Sequence, residues 1–205
     1  MNTYSAIGLT GGMASGKTTV SRLFTAWGAF VADADEISRR ALDPGTSCYD
    51  KTVASFGRGI LLPDGSVDRK KVASIVFSDE EALATLNGII HPYVHEVILM
   101  QSKRAFREDP SRLIVWDVPL LFETGYDREV TKTVVVTARQ SLRVQRIVER
   151  DGSTKAAALR RIRAQMPDRE KVGRADIVIR NNGTLDELER RTREVFDELL
   201  ETVGR

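Results

Sequence analysis

An α/β fold is what this sequence predicts, and three observations carry the prediction. Short apolar strands alternate with amphipathic helical stretches at both ends of the chain. The first strand runs directly into a glycine-rich turn that carries a lysine. The middle third, residues 36 to 110, reads mainly as helices and is too long for an ordinary crossover between parallel strands.

Tyr4 to Thr10 reads as the first strand. From Gly11 to Thr18 the residues Gly-Gly-Met-Ala-Ser-Gly-Lys-Thr fit the phosphate-loop pattern of Gly, any four residues, then Gly-Lys-Ser/Thr. Gly11, Gly12 and Gly16 let the backbone turn tightly, and consecutive N–H groups around Met13, Ala14 and Ser15 make a nest for phosphate oxygens. A helix is expected to start at about Lys17, adding its positive end to that field. Lys17 reaches the terminal phosphates and the Thr18 hydroxyl ligates Mg²⁺ in this pattern. Val20, Leu23, Phe24 and Trp27 then make one apolar helix face, and Gly28 sits where a C-cap belongs. Strand, loop and helix together imply a nucleoside triphosphate with Mg²⁺.

Ala29 to Ala32 is a second short strand, ending in Asp33-Ala34-Asp35 with a helix starting near Glu36. Ligands gather at the carboxyl ends of strands in such sheets. Asp33 with Glu36 three residues later also fits a capping box, so Asp33 is open between cap and chemistry. Capping needs one acid only, so a chemical role is assigned to Asp35. In the helical insertion, Cys48 to Phe56 and Arg69 to Phe77 read as helices around a Pro63-Asp64-Gly65 turn. Ser78 or Asp79 caps a segment through Ile90, and Pro92 is expected at the first position of a further helix to about Glu108. His91 either bonds a substrate group or serves as a local cap or packing residue.

Arg112 to Asp117 is an apolar strand ending in an acid. Asp117 is either a Walker B-type magnesium ligand or a surface acid at a strand end. Val118 to Glu123 follows it. Lys132 to Ala138 reads as a buried parallel strand. Residues 139 to 174 hold nine arginines, on two expected helices, Ser141–Arg150 and Thr154–Met166. Most such arginines solvate helix faces. Arg146, Arg150 and Arg161, at spacings that allow a shared face, are the candidates for a lid that stabilises transferred charge. Ala175 to Ile179 is the last strand. Arg180-Asn181-Asn182-Gly183 at its end is either an adenine-binding turn or a plain turn before the final helix, capped by Thr184.

Composition narrows the function classes. The chain has 205 residues, 29% charged and 41% hydrophobic, with a net charge of +2. That balance gives no field for nucleic acid or membranes. Cys48 stands alone, which excludes an internal disulfide and fits a reducing compartment. With only His91 and His95 beside it, a structural zinc site is excluded. The first strand begins at once, so no signal peptide is expected. The expected localisation is cytoplasmic.

Taken in order, Gly8 to Lys17, Asp33-Ala-Asp35, His91-Pro92, Val118-Pro-Leu-Leu-Phe-Glu123 and Ala175 to Gly183 resemble the dephospho-coenzyme A kinase family over essentially the whole chain. The resemblance implies a P-loop NTPase core with a five-stranded parallel sheet, a helical substrate-binding insertion and a helical lid. Residues 1–35, 111–138 and 175–205 would form the core, 36–110 the coenzyme A domain and 139–174 the lid. It implies transfer of the ATP γ-phosphate to the ribose 3′-hydroxyl of dephospho-CoA; separately from the resemblance, a monomer or weak oligomer is expected. Asp35 matches the family's catalytic base. Asp33, His91, Pro119 and Leu120 are assigned with it to the acceptor, Asn181 and Gly183 to the nucleotide, and Thr18 and Asp117 to the metal. Ala14 stands where the family usually has Gly, and alanine there is expected to need a negative φ. The competing readings are another small-molecule or nucleoside monophosphate kinase, and a GTPase-type switch. The Asn-Lys-x-Asp motif that a guanine site uses is missing from the sequence.

Overall fold

Strand β1, Ala6–Gly11, is buried along its whole length in the computed structural model, which describes residues 4–203. It is the middle strand of five. The others are β2 (Phe30–Asp33), β3 (Ile114–Asp117), β4 (Lys132–Thr137) and β5 (Ile177–Arg180), and the sheet order is β2-β3-β1-β4-β5, all parallel. Strands covered on both faces need apolar side chains on both faces, which explains runs such as Val134, Val135 and Val136 in β4. The register sets Leu9 beside Asp117 on one flank and Gly11 beside Val136 on the other. The phosphate loop therefore leaves the sheet between the carboxyl ends of β3 and β4.

The helices are α1 (Lys17–Ala26), α2 (Ala34–Arg40), α3 (Ser47–Phe56), α4 (Arg69–Ser78), α5 (Glu80–Glu108), α6 (Gln140–Asp151), α7 (Lys155–Arg163), α8 (Asp168–Arg174) and α9 (Leu185–Val203). The chain divides into two compact units, Met1–Ala32 with Ser102–Arg205 and Asp33–Gln101. In the first, α1 and α9 pack on the sheet through Val20, Phe24, Leu188 and Phe196, joining Ile7 and Val136 in one core cluster. Phe24 and Phe196 lie 5.5 Å apart, ring to ring. A buried phenylalanine of this kind holds about 3–5 kcal/mol against truncation to alanine.

The second unit has its own core of Leu42, Ile60, Val67, Val72 and Leu86. Its turn forms as Pro63-Asp64-Gly65 predicts. Gly65 takes φ 83°, the Asp64 carboxylate accepts from the Ser66 N–H at 2.9 Å, and Leu61 bridges to Val67. Thr46 and Asp68 cap α3 and α4 with side-chain oxygens.

Two expectations about helices fail. Pro92 does not open a helix, because α5 runs unbroken for 29 residues with Pro92 inside it. Proline deletes one helical hydrogen bond, worth about 3 kcal/mol with its steric cost. The buried stripe Leu86, Val94, Ile98 and Ser102 continues at helical spacing past Pro92, which is itself exposed, and that burial outweighs the loss. The arginine-rich stretch forms three helices rather than two, since α7 stops at Arg163, short of the expected Met166, and α8 begins at Asp168 directly after Pro167.

Candidate active site

The loop turns as its sequence requires. The Ser15 N–H donates to the Gly12 carbonyl at 3.1 Å, and Gly16 takes φ 101° as the N-cap of α1, which starts at Lys17. Helix geometry leaves the first N–H groups of α1 without intrahelical acceptors, which suits a phosphate oxygen. A Cβ at residue 16 would strike the side-chain amide of Asn181, which donates to the Ser15 carbonyl at 2.9 Å. Ala14 corrects one expectation. Its φ is +59°, the only positive value at a non-glycine residue among those described. The alanine is tolerated in the left-handed region rather than avoiding it.

The outer side of the loop is clamped by residues far along the chain. Arg143 of α6, 3% exposed, donates through Nε to the Met13 carbonyl at 2.7 Å. Arg146 Nη1 donates to the Ala14 carbonyl at 3.3 Å, and Gln165 Oε1 accepts from the Met13 N–H at 2.9 Å. Two guanidinium groups on loop carbonyls reduce the negative potential that an incoming phosphate meets.

Lys17 forms an ion pair with Asp117. Asp117 is 2% exposed at the carboxyl end of β3, so it is no surface acid. Thr18 is exposed in the first turn of α1. Beyond Asp117 the Val118 N–H donates to the Leu9 carbonyl at 2.9 Å, and the Thr10 hydroxyl donates to the Pro119 carbonyl at 3.0 Å. Leu120 is exposed, while Leu121 and Phe122 are buried. Glu123 accepts from the Lys171 ammonium at 3.0 Å.

The three candidate arginines occupy two settings. Arg146 sits on the Ala14 carbonyl and on Asn181, whose carbonyl oxygens it meets at 3.3 and 3.4 Å. Arg150 and Arg161 both bind Asp151, and their hydrogen bonds hold its carboxyl well below the usual range. Asn181 is 7% exposed and supports the phosphate loop. Gly183 stands where a side chain would strike Glu187, which with Thr184 forms a capping box at the start of α9.

In the second unit, Asp33 accepts from the Glu36 N–H at 3.0 Å and caps α2. Asp35 is exposed in the first turn of that helix. His91 lies inside α5, partly buried, and burial pushes its imidazole below the ordinary value. It therefore caps no helix start.

Sequence reasoning missed Arg143, Gln165, Asp168 and Lys171. The Asp168 carboxylate accepts from Arg143 and, at 2.7 Å, from the Thr137 hydroxyl. One signal was present for Arg143. It lies four residues before Ile147 on the buried stripe of α6, where an apolar residue is expected.

A family model described as dephospho-CoA kinase matches residues 5–187. A dephospho-CoA kinase of Geobacter sulfurreducens is 44% identical over 190 residues, covering 93% of this chain and 96% of that one. One from Arabidopsis thaliana is 42% identical, covering 94% and 83%. Among solved structures, the Campylobacter jejuni dephospho-CoA kinase superposes with TM-score 0.73 at 28% identity, covering 96% and 98%. A shikimate kinase from Bacteroides thetaiotaomicron, 16% identical with TM-score 0.54 and covering 96% and 98%, shares the fold alone.

Proposed function

The chain belongs to the dephospho-CoA kinase family, and from that premise we propose that it transfers the γ-phosphate of ATP to the ribose 3′-hydroxyl of dephospho-CoA, completing CoA. The observation that carries the reading is the meeting of Lys17 and Asp117 beside a glycine-turned loop that opens a helix. A lysine beside phosphates and an acid at the end of the neighbouring strand are the working parts of a phosphate-loop kinase.

In this reading the loop from Gly11 to Thr18 holds the β- and γ-phosphates. Lys17 exchanges its bond to Asp117 for one to phosphate, and Asn181 and Gly183 border the nucleotide. The donor set suits Mg²⁺, because a hydroxyl and a buried carboxylate are hard oxygen ligands and Asp117 already attracts a cation. Thr18 and Asp117 would hold the ion, which when bound would offset the negative charge of the phosphates. Arg146, Arg150 and Arg161 meet the charge that develops on the transferred group. Arg150 and Arg161 must leave Asp151 to do so.

Asp35 orients the acceptor hydroxyl and takes its proton, a task that suits an exposed carboxylate not spent on a cap. Asp33, His91, Pro119 and Leu120 hold the acceptor. We place the enzyme in the cytoplasm, acting as a monomer or weak oligomer without nucleic acid or membrane. Among the described residues no helix is long and apolar enough to cross a bilayer. A coupled assay with purified protein tests the reading by offering dephospho-CoA, AMP, CMP, UMP and shikimate in turn. ADP release with dephospho-CoA alone is expected. Preference for another acceptor would favour the competing kinase reading.

A further inference from the structure

Lys171 is the most completely buried cation among the described residues, at 0% exposure, and neither the phosphate loop nor the acceptor assignment uses it. Its ammonium donates to the Pro119 carbonyl at 3.0 Å and lies 3.0 Å from Glu123 Oε1. The same Pro119 carbonyl accepts from Thr10, the residue that precedes the phosphate loop. One carbonyl is thus fixed from the loop's own strand and from α8. Three residues on, Arg174 lies 4.5 Å over the Phe122 ring and pairs with Asp127 at 2.8 Å. At its other end α8 holds Asp168 on Arg143 and Thr137, and Arg143 in turn holds the Met13 carbonyl. The helix ties the segment after Asp117 to the phosphate loop.

Stability alone does not account for an ammonium here. Exchanging a buried ion pair for apolar groups of like size is often neutral or stabilising. What an apolar side chain does not supply is a directed bond to a particular carbonyl. We propose that Lys171 is a positioning residue for phosphoryl transfer, setting the Pro119–Glu123 segment at the distance from the phosphate loop that the acceptor needs. The proposal rests on the assignment of Pro119 and Leu120 to dephospho-CoA made above.

The test is the purified full chain with Lys171→Met, which keeps the stem and removes the charge. Its kcat/KM for dephospho-CoA should fall about 10–100-fold, the range for losing the support of a positioned group, with KM for ATP changed less than about twofold. The double variant Lys171→Met/Glu123→Gln should stay as impaired, because the tether is still missing. Glu123→Gln alone keeps the ammonium and tests the same segment if Lys171→Met folds poorly, with a smaller fall in kcat/KM for dephospho-CoA. Hydrogen exchange without substrates should quicken across residues 118–127 in Lys171→Met. Recovery of kcat/KM in the double variant would overturn the proposal, since the defect would then come from an orphaned Glu123 charge. Unchanged exchange would overturn the tether itself. Faster exchange with wild-type kinetics would overturn the link to the acceptor. A wild-type chain inactive on dephospho-CoA would sink the proposed function, while exchange would still decide the tether.

Discussion

Replacing Ala14 by glycine should stabilise this protein, although it deletes a methyl group from the middle of its phosphate loop. Ala14 sits at φ +59°, where an L-residue with a Cβ carries a penalty of roughly 1–2 kcal/mol. Glycine removes that penalty. Against the gain stands the greater freedom of glycine in the unfolded chain, about 0.4–1 kcal/mol. The methyl lies at a partly buried position, so its loss takes back only part of the roughly 0.8 kcal/mol of a fully buried carbon. The balance is about +0.5 kcal/mol, which for a chain of this length raises Tm by about 1–2 °C. Thermal unfolding followed by circular dichroism, without nucleotide, reads the difference between Ala14→Gly and wild type. Ala14→Val is the opposite control, because a β-branched side chain tolerates this region worst. ATP affinity should hold within about twofold, since Arg146 bonds the residue 14 carbonyl rather than its side chain. A lower Tm for Ala14→Gly, with Ala14→Val unperturbed, would mean that residue 14 has a negative φ and that the strain argument is wrong.

The remaining predictions concern the chemistry and its pH limits. Asp35→Asn should lower kcat by about 10²–10⁴-fold with ATP affinity little changed. Asp33→Asn should mainly loosen α2, and the reverse ranking in steady-state kinetics would mean the two roles are exchanged. Lys17→Met should cost at least about 10²-fold in kcat. It should also lower Tm by taking the Lys17 ammonium away from the buried Asp117 carboxylate, and adding Asp117→Asn should recover part of the Tm but none of the kcat. A wild-type kcat would remove the phosphate-loop lysine from the mechanism. Burial lowers the His91 imidazole from its ordinary value near 6.5, so the folded chain favours the neutral ring. As pH falls the unfolded chain binds that proton first. The stability from His91 is therefore complete above about pH 6.5 and is lost as pH drops toward the folded value. Urea midpoints at pH 7.5 and 5.5 should separate more for wild type than for His91→Gln, and equal separations would refute the linkage.

Local rules made the core of the fold readable. The phosphate loop, the start of α1, the Pro-Asp-Gly turn and the Asp33 cap all depend on residues within a few positions of one another. Continuous apolar runs marked the buried strands for a similar reason, since both faces of a parallel sheet are covered. Reading failed where a distant contact outweighed a local rule. Pro92 is a breaker by its own chemistry, yet it lies on the exposed side of a helix whose buried stripe runs on past it. Ala14 resists a positive φ by itself, yet a loop fixed at both ends and held by Arg143, Arg146 and Gln165 imposes one.

The arginine-rich stretch shows the limit most sharply. Its charges suggest a solvated, movable layer, because arginine and lysine are exposed by default. Arg150 and Arg161 fit that description, both on the outside and both held by Asp151. Arg143 and Lys171 do not, since each is almost wholly buried and each holds a backbone carbonyl of the site. Nothing in residue type separates the two pairs. Position does, because Arg143 shares a helix face with Ile147, and Asp168, Lys171 and Arg174 recur every three residues along α8. A charge on a buried helical face must find a fixed partner there, and the partners here are the two loops that flank β1 and β3. The site consequently owes its shape to side chains about 130 and 52 positions away from the loop residues they hold.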